Sequence, residues 1–138
     1  MPKLLVEACD GDKQLLAWAG TLRESWQRWI GVHVMQPVSE DARLRRAERW
    51  AELMLQTMEA EQELPPALAA RLRRTRHAAE GYARMSVNRR RDYLFTIFGA
   101  RGMQARENQI VRWIEACVAK GAKSSGGELG GGERDGED

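Results

Sequence analysis

The stretch Ser86–Gly121, SVNRRRDYLFTIFGARGMQARENQIVRWIEACVAKG, decides the fold. Tyr93, Leu94, Ile97 and Phe98 recur at offsets 0, 1, 4 and 5, and Ile110, Trp113, Ile114, Cys117 and Val118 at 0, 3, 4, 7 and 8. Both spacings follow the 3.6-residue period of a helix and not the alternation of a strand. Arg101-Gly102 between them predicts a tight turn, so the stretch reads as two amphipathic helices. Ser86 has the side-chain oxygen an N-cap needs to start the first of them.

Upstream of this pair, Pro65-Pro66 is the clearest punctuation in the chain, and Pro66 suits the first turn of a new helix. Leu68 and Leu72 face inward on that helix; Ala78, Ala79 and Tyr82 continue it or form a second one. Before the prolines, Leu44, Ala47, Ala51, Met54 and Met58 give a 3–4 spacing, with Ser39 as cap and Glu40 and Asp41 in the first turn, where the helix dipole favours carboxylates. Leu22, Trp26, Trp29, Ile30 and His33 form another stripe, headed by the capping-box pattern Thr21-Leu22-Arg23-Glu24 and ended by Pro37. A short first helix carries Leu15, Leu16, Trp18 and Ala19, capped by Asp10 or Asp12 and stopped by Gly20.

These elements repeat. At a shift of 63, Ala42-Arg43 falls on Ala105-Arg106 and Arg49-Trp50-Ala51-Glu52 on Arg112-Trp113-Ile114-Glu115; at 64, Trp18, Trp29 and Ile30 fall on Tyr82, Tyr93 and Leu94. One inserted residue reconciles the two shifts, so the upstream half reads as a diverged copy of the downstream one. The expected architecture is all-α, with about six helices in two pseudo-repeated three-helix units sharing a core. The first unit covers residues 1–63 and the second 64–123. Residues 124–138, SSGGELGGGERDGED, have six glycines and almost no apolar residue. Such a segment cannot offset its ordering entropy by burial, and a flexible acidic tail is expected.

The 138 residues, 43% hydrophobic and 30% charged, suit a globular domain. No apolar run reaches the length of a membrane span, and the opening Met1-Pro2-Lys3-Leu4-Leu5 lacks the pattern of a signal peptide, so a cytoplasmic location is expected. Cys9 and Cys117 then read as reduced and buried. The net charge of +2 hides a segregation. Residues 1–70 carry 8 basic and 11 acidic groups; residues 71–112 carry 11 arginines against Glu80, Asp92 and Glu107; the tail from 124 carries five acids and Arg134.

The second half resembles the YdeI/OmpD-associated, or bacteriocin-protection, family over about residues 64–121. The residues that carry the resemblance are Leu64-Pro65, Tyr82, Ser86, Arg90-Arg91, Tyr93, Ile97, Ala100-Arg101, Arg106, Ile110 and the closing Gly121. Three positions depart from the family pattern: its threonine is Ala105, its second arginine Gln109 and its lysine Arg101. The resemblance implies a small helical module linked to envelope stress and antimicrobial-peptide tolerance, and it implies no active site.

Constellations that carry chemistry are not evident. No His, Cys, Asp or Glu spacing matches a zinc or calcium site, and no glycine-rich loop joins a strand to a helix. His33 reads as a core-edge residue and His77 as part of a surface run. Cys117 lies among Trp113, Ile114 and Val118, which would not stabilise a thiolate. The five tryptophans, at positions 18, 26, 29, 50 and 113, lie on helical stripes and read as core. What remains is an arginine-rich patch: Arg71, Arg73, Arg74, Arg76, Arg84, Arg89, Arg90, Arg91, Arg101 and Arg106. Such a surface fits an acidic protein partner or nucleic-acid phosphates. The expectation is a non-enzymatic interaction module without cofactor or metal, whose protein partner the residues do not name. Nucleic-acid binding is the alternative, and two-fold self-association is compatible with the broad apolar faces.

Overall fold

The computed structural model describes residues 1–125. Its elements are α1 (Lys3–Ala8), α2 (Lys13–Ala19), α3 (Glu24–Met35), α4 (Glu40–Gln62), α5 (Pro66–Arg74), α6 (Ala78–Arg84), α7 (Val87–Gly99) and α8 (Met103–Ser125). Among the described residues there is no strand. Among the described residues eight helices stand where about six were expected. One addition is α1, whose six residues are too few to show a period and whose N-cap, Pro2, makes no side-chain cap bond. The other comes from residues 66–84, which break in two: Thr75 is extended and His77 is left-handed at φ 71°, a conformation that histidine tolerates better than most residues. The glycine-rich tail expected to be flexible lies, from residue 126 on, outside the described residues; α8 itself continues two residues past 123.

The chain forms two compact units, Met1–Met58 and Glu59–Asp138, and the boundary falls within α4. Local chemistry sets most helix ends. Leu15 N–H donates to Asp12 Oδ1 (2.9 Å), Ala42 N–H to Ser39 Oγ (3.1 Å) and Arg89 N–H to Ser86 Oγ (3.1 Å), so three expected caps are in place. Pro66 occupies the first turn of α5, and Gly102 makes the α7–α8 turn at φ 91°. The helix α3 starts later than its sequence pattern suggests: Arg23 is its N-cap, and the Thr21 hydroxyl donates to the Trp18 carbonyl at 2.6 Å.

In the first unit Leu5, Cys9, Leu15, Ala19, Leu22, Ile30, Val34, Ala47, Trp50 and Met54 are buried. The α3–α4 hairpin is tied by arginines: Arg43 Nε donates to the Pro37 carbonyl (2.7 Å), and Arg46 to the His33 carbonyl (2.8 Å) and Gln36 Oε1 (2.9 Å). In the second unit Leu68, Leu72, Ala78, Met85, Leu94, Phe95, Ile97, Phe98, Trp113, Ile114 and Cys117 are buried. There α6 packs chiefly on α8, which also receives α7 and α5. Two glycines make the α6–α8 approach close. A Cβ on Gly81 would overlap the Cys117 carbonyl, and one on Gly121 the His77 carbonyl. Both obstacles are backbone atoms, which a rotamer change cannot move aside.

Candidate functional site

The ten arginines expected to form a surface divide into two groups. Three are engaged within the second unit. Arg91 is only 8% exposed and makes a two-point pair with Glu61 at the end of α4, at 2.6 and 3.1 Å. Arg90 donates to the carbonyls of Tyr82 (2.9 Å) and Ala83 (2.7 Å), and its guanidinium carbon lies 5.0 Å from the Tyr82 ring centre. It thereby satisfies carbonyls that the end of a helix leaves without partners and places a positive charge at the negative end of α6. Arg71 makes a two-point pair with Glu107, both bonds at 3.0 Å, which raises the guanidinium pKa and lowers that of the carboxyl, in each case through the hydrogen bond first. The remaining seven, Arg73, Arg74, Arg76, Arg84, Arg89, Arg101 and Arg106, are exposed, and Arg89 leans over the exposed side of Tyr93.

At the α5–α6 break a hollow of about 370 Å³ is lined by Leu72, Arg73, Thr75, Arg76, His77, Ala79 and Glu80. The break itself creates it: the extended Thr75 and left-handed His77 separate the two helix ends, and the Thr75 hydroxyl donates back to the Arg71 carbonyl at 2.9 Å. His77 Nδ1 lies 3.4 Å from Glu80 Oε1. Arg73 and Arg76 reach this hollow, and the exposed Arg74 lies between them in sequence.

The interior of the second unit offers no ready nucleophile. Burial pushes the Cys117 thiol from 9.0 up to about 12, with the Arg90 charge opposing, and the Tyr82 phenol from 10.0 up to about 12 for the same reason. Burial also raises Cys9, assisted by the Asp12 carboxylate. Both cysteines are free thiols. Among the described residues no group of three His, Cys, Asp or Glu side chains is arranged to hold a metal ion, and no helix is long and apolar enough to cross a membrane.

These raised values carry a stability consequence. In the unfolded chain Cys117 and Tyr82 lose their protons near their ordinary values, whereas the folded chain keeps them to about 12. Above about pH 9 the unfolded state therefore binds fewer protons, and stability falls as pH rises. Denaturant melts at pH 8, 9.5 and 11 should show the midpoint dropping progressively, and Cys117→Ala should shallow the first part of that drop. A flat profile would contradict the assigned burial.

The tryptophans do not behave alike. Trp50 and Trp113 are buried as expected; Trp18 and Trp26 are half-buried, and Trp29 is 53% exposed. Core packing thus holds for the two long-helix tryptophans and fails for Trp29, which stands at the edge of the packed face, touching its neighbours' rings while much of its own ring meets solvent. Trp26, Trp29, His33 and Trp50 meet in one cluster in the first unit. Trp29 stacks on His33 at 4.9 Å and 9°, and Trp26, Trp29 and Trp50 meet edge to face at 5.7–6.1 Å. The Trp50 indole N–H donates to His33 Nδ1 at 3.0 Å, which leaves the imidazole proton on Nε2. Periodicity could place Trp26, Trp29 and His33 on one stripe but could not show that Trp50 of the next helix meets them or which ring is left open.

Residues 61–120 match the family model described as Bacteriocin-protection, YdeI or OmpD-Associated. No curated protein and no solved structure matches the chain. In and just past the matched segment, the residues that carried the resemblance have mainly architectural positions. Pro65 and Ser86 are helix N-caps, Ile97 is buried, Arg90 caps α6, Arg91 pairs with Glu61, and Gly121, one residue past the match, permits the α6–α8 approach. The arginine-rich turn of the YdeI/OmpD-associated pattern is thus largely a device of the fold here, and the exposed arginines lie mostly elsewhere.

Proposed function

We propose that the chain is a non-enzymatic interaction module of the YdeI/OmpD-associated kind, linked to stress or antimicrobial-peptide tolerance, and that it engages an acidic protein partner through the second unit. The observation that carries this reading is the hollow at the α5–α6 break, where Arg73 and Arg76 border about 370 Å³ next to exposed Arg74. Guanidinium groups at the rim of a concave surface suit carboxylates, which they bind with two parallel hydrogen bonds. A second reading, nucleic-acid binding without base readout, draws on the 11 arginines against three acids in residues 71–112.

Titrating the chain with a glutamate-rich peptide and, separately, with duplex DNA across a salt series distinguishes them. On the first reading the peptide binds and the double variant Arg73→Glu/Arg76→Glu weakens it at least about tenfold, equivalent to about 1.4 kcal/mol. Removing residues 124–138, whose five acids resemble the ligand, should tighten it. Tight DNA binding with a steep salt dependence, and none to the peptide, would favour the second reading.

A tandem organisation forms part of the proposal. The helices α4 and α8 both have 23 residues and begin 63 positions apart, and α1 and α5, and α3 and α7, also begin 63 apart. Buried residues follow the same register: Leu5 with Leu68, Trp50 with Trp113 and Met54 with Cys117 at 63, Ile30 with Leu94 and Val34 with Phe98 at 64. This supports two copies of a four-helix unit rather than of a three-helix one.

A further inference from the structure

We propose that the hollow beside Trp29 in the first unit is a receptor for an arginine side chain supplied by a partner polypeptide. The hollow measures about 300 Å³ and is lined by Ser25, Trp26 and Trp29. Its two indoles stand almost perpendicular, at 84° with centres 6.1 Å apart, and so form two walls of a corner. The corner is built in advance. His33 covers one face of Trp29, and the Trp50 indole N–H holds the His33 ring in place. An exposed indole fixed in this way loses little freedom when a ligand arrives.

The second unit indicates what the occupant is. There Arg89 stands four residues before Tyr93 and places its guanidinium carbon 5.7 Å from that ring's centre. Ser25 stands four residues before Trp29, and both residues lie 64 positions before their counterparts, the shift that also relates Ile30 to Leu94 and Val34 to Phe98. The same helical offset that brings Arg89 over Tyr93 thus brings Ser25 beside Trp29, where a hydroxymethyl group is too short to cover the ring. The hollow thus stands at the register position that Arg89 holds in the other unit. Meanwhile the ring has changed from tyrosine to tryptophan, whose face attracts cations most strongly, and Arg90 has its counterpart in Trp26, which adds a second π surface. Glu24 and Arg28, the charged residues next to the lining residues in sequence, pair with each other at 3.9 Å, so their charges offset and neither stands alone against a cation. A guanidinium stacks on an indole as well as attracting its π cloud, which favours arginine over lysine.

The test uses the isotope-labelled full chain, with indole N–H signals followed by NMR and Trp29 assigned by the loss of its signal in Trp29→Phe. The probe is a blocked Gly-Arg-Gly peptide, and its neutral control carries citrulline in place of arginine. The Trp29 signal should move saturably with the arginine peptide, at least about threefold tighter than with citrulline. Ser25→Arg should place an internal guanidinium in the corner and abolish the titration while circular dichroism and the Trp113 indole signal, from the other unit, stay unchanged. Equal response to citrulline would show an apolar occupant and overturn the proposal. So would an unaltered titration in Ser25→Arg, or movement of the Trp29 signal with protein concentration alone, which would assign the corner to a second copy of the chain.

Discussion

Replacing Gly81 with alanine is expected to destabilise the second unit by about 3 kcal/mol. In an exposed helix the same change is favourable, because alanine exceeds glycine in helix propensity by about 1 kcal/mol. Here the sign reverses. The new methyl would overlap the Cys117 carbonyl, and Gly121 N is also close, so α6 must move off α8 to admit it. That movement opens the packing around Trp113 and Cys117, both fully buried. For a unit of this size the thermal midpoint should fall by about 15 °C, at roughly 5 °C per kcal/mol. Gly121→Ala should act similarly through the His77 carbonyl, whereas Gly102→Ala, with open space around it, should cost only the strain of its φ of 91°, about 1 kcal/mol. Calorimetry on the three variants tests the ranking. Equal, small effects would mean that α6 and α8 are not held at the separation described.

The second large effect is expected at Arg91. Its side chain is 9% exposed and that of Glu61 22%, and the two share bonds of 2.6 and 3.1 Å. Removing one partner leaves a charge with too little water, so Glu61→Ala or Arg91→Ala should cost about 3 kcal/mol. Replacing both, by Arg91→Met with Glu61→Leu, should recover most of that loss, because neither charge is then left behind. A double-mutant cycle in urea measures the coupling, which should reach at least about 1.5 kcal/mol. By contrast the exposed Arg73→Ala should change stability by less than about 0.5 kcal/mol. A large effect there would move Arg73 from the interaction surface to the architecture.

The two predictions also show how sequence and structure divided the work. The periods of Tyr93–Phe98 and Ile110–Val118, the caps at Asp12, Ser39 and Ser86, and the proline start at Pro66 were legible because helix formation and termination depend on neighbours within a few residues. The all-helical class and the match over residues 61–120 follow from the same local pattern. The short α1 was not legible, and the break at Thr75–His77 was legible only as one of two options for residues 66–84. The first is held by burying Leu5 against the rest of its unit, and the second by a left-handed residue that no composition rule requires.

Among the candidate residues, a run of arginines reads alike whether each one faces water, a carboxylate or the end of a helix. The chain's own order determined where its helices start, stop and turn their apolar faces, since those choices are made within one or two helical turns. Only the tertiary structure decided that Arg91 is buried with Glu61, that Gly81 must lack a side chain and that Trp29 stands open while Trp50 and Trp113 are enclosed. Each of those outcomes depends on which distant segment arrives at a helix face, and burial and pairing are properties of that meeting rather than of either segment alone.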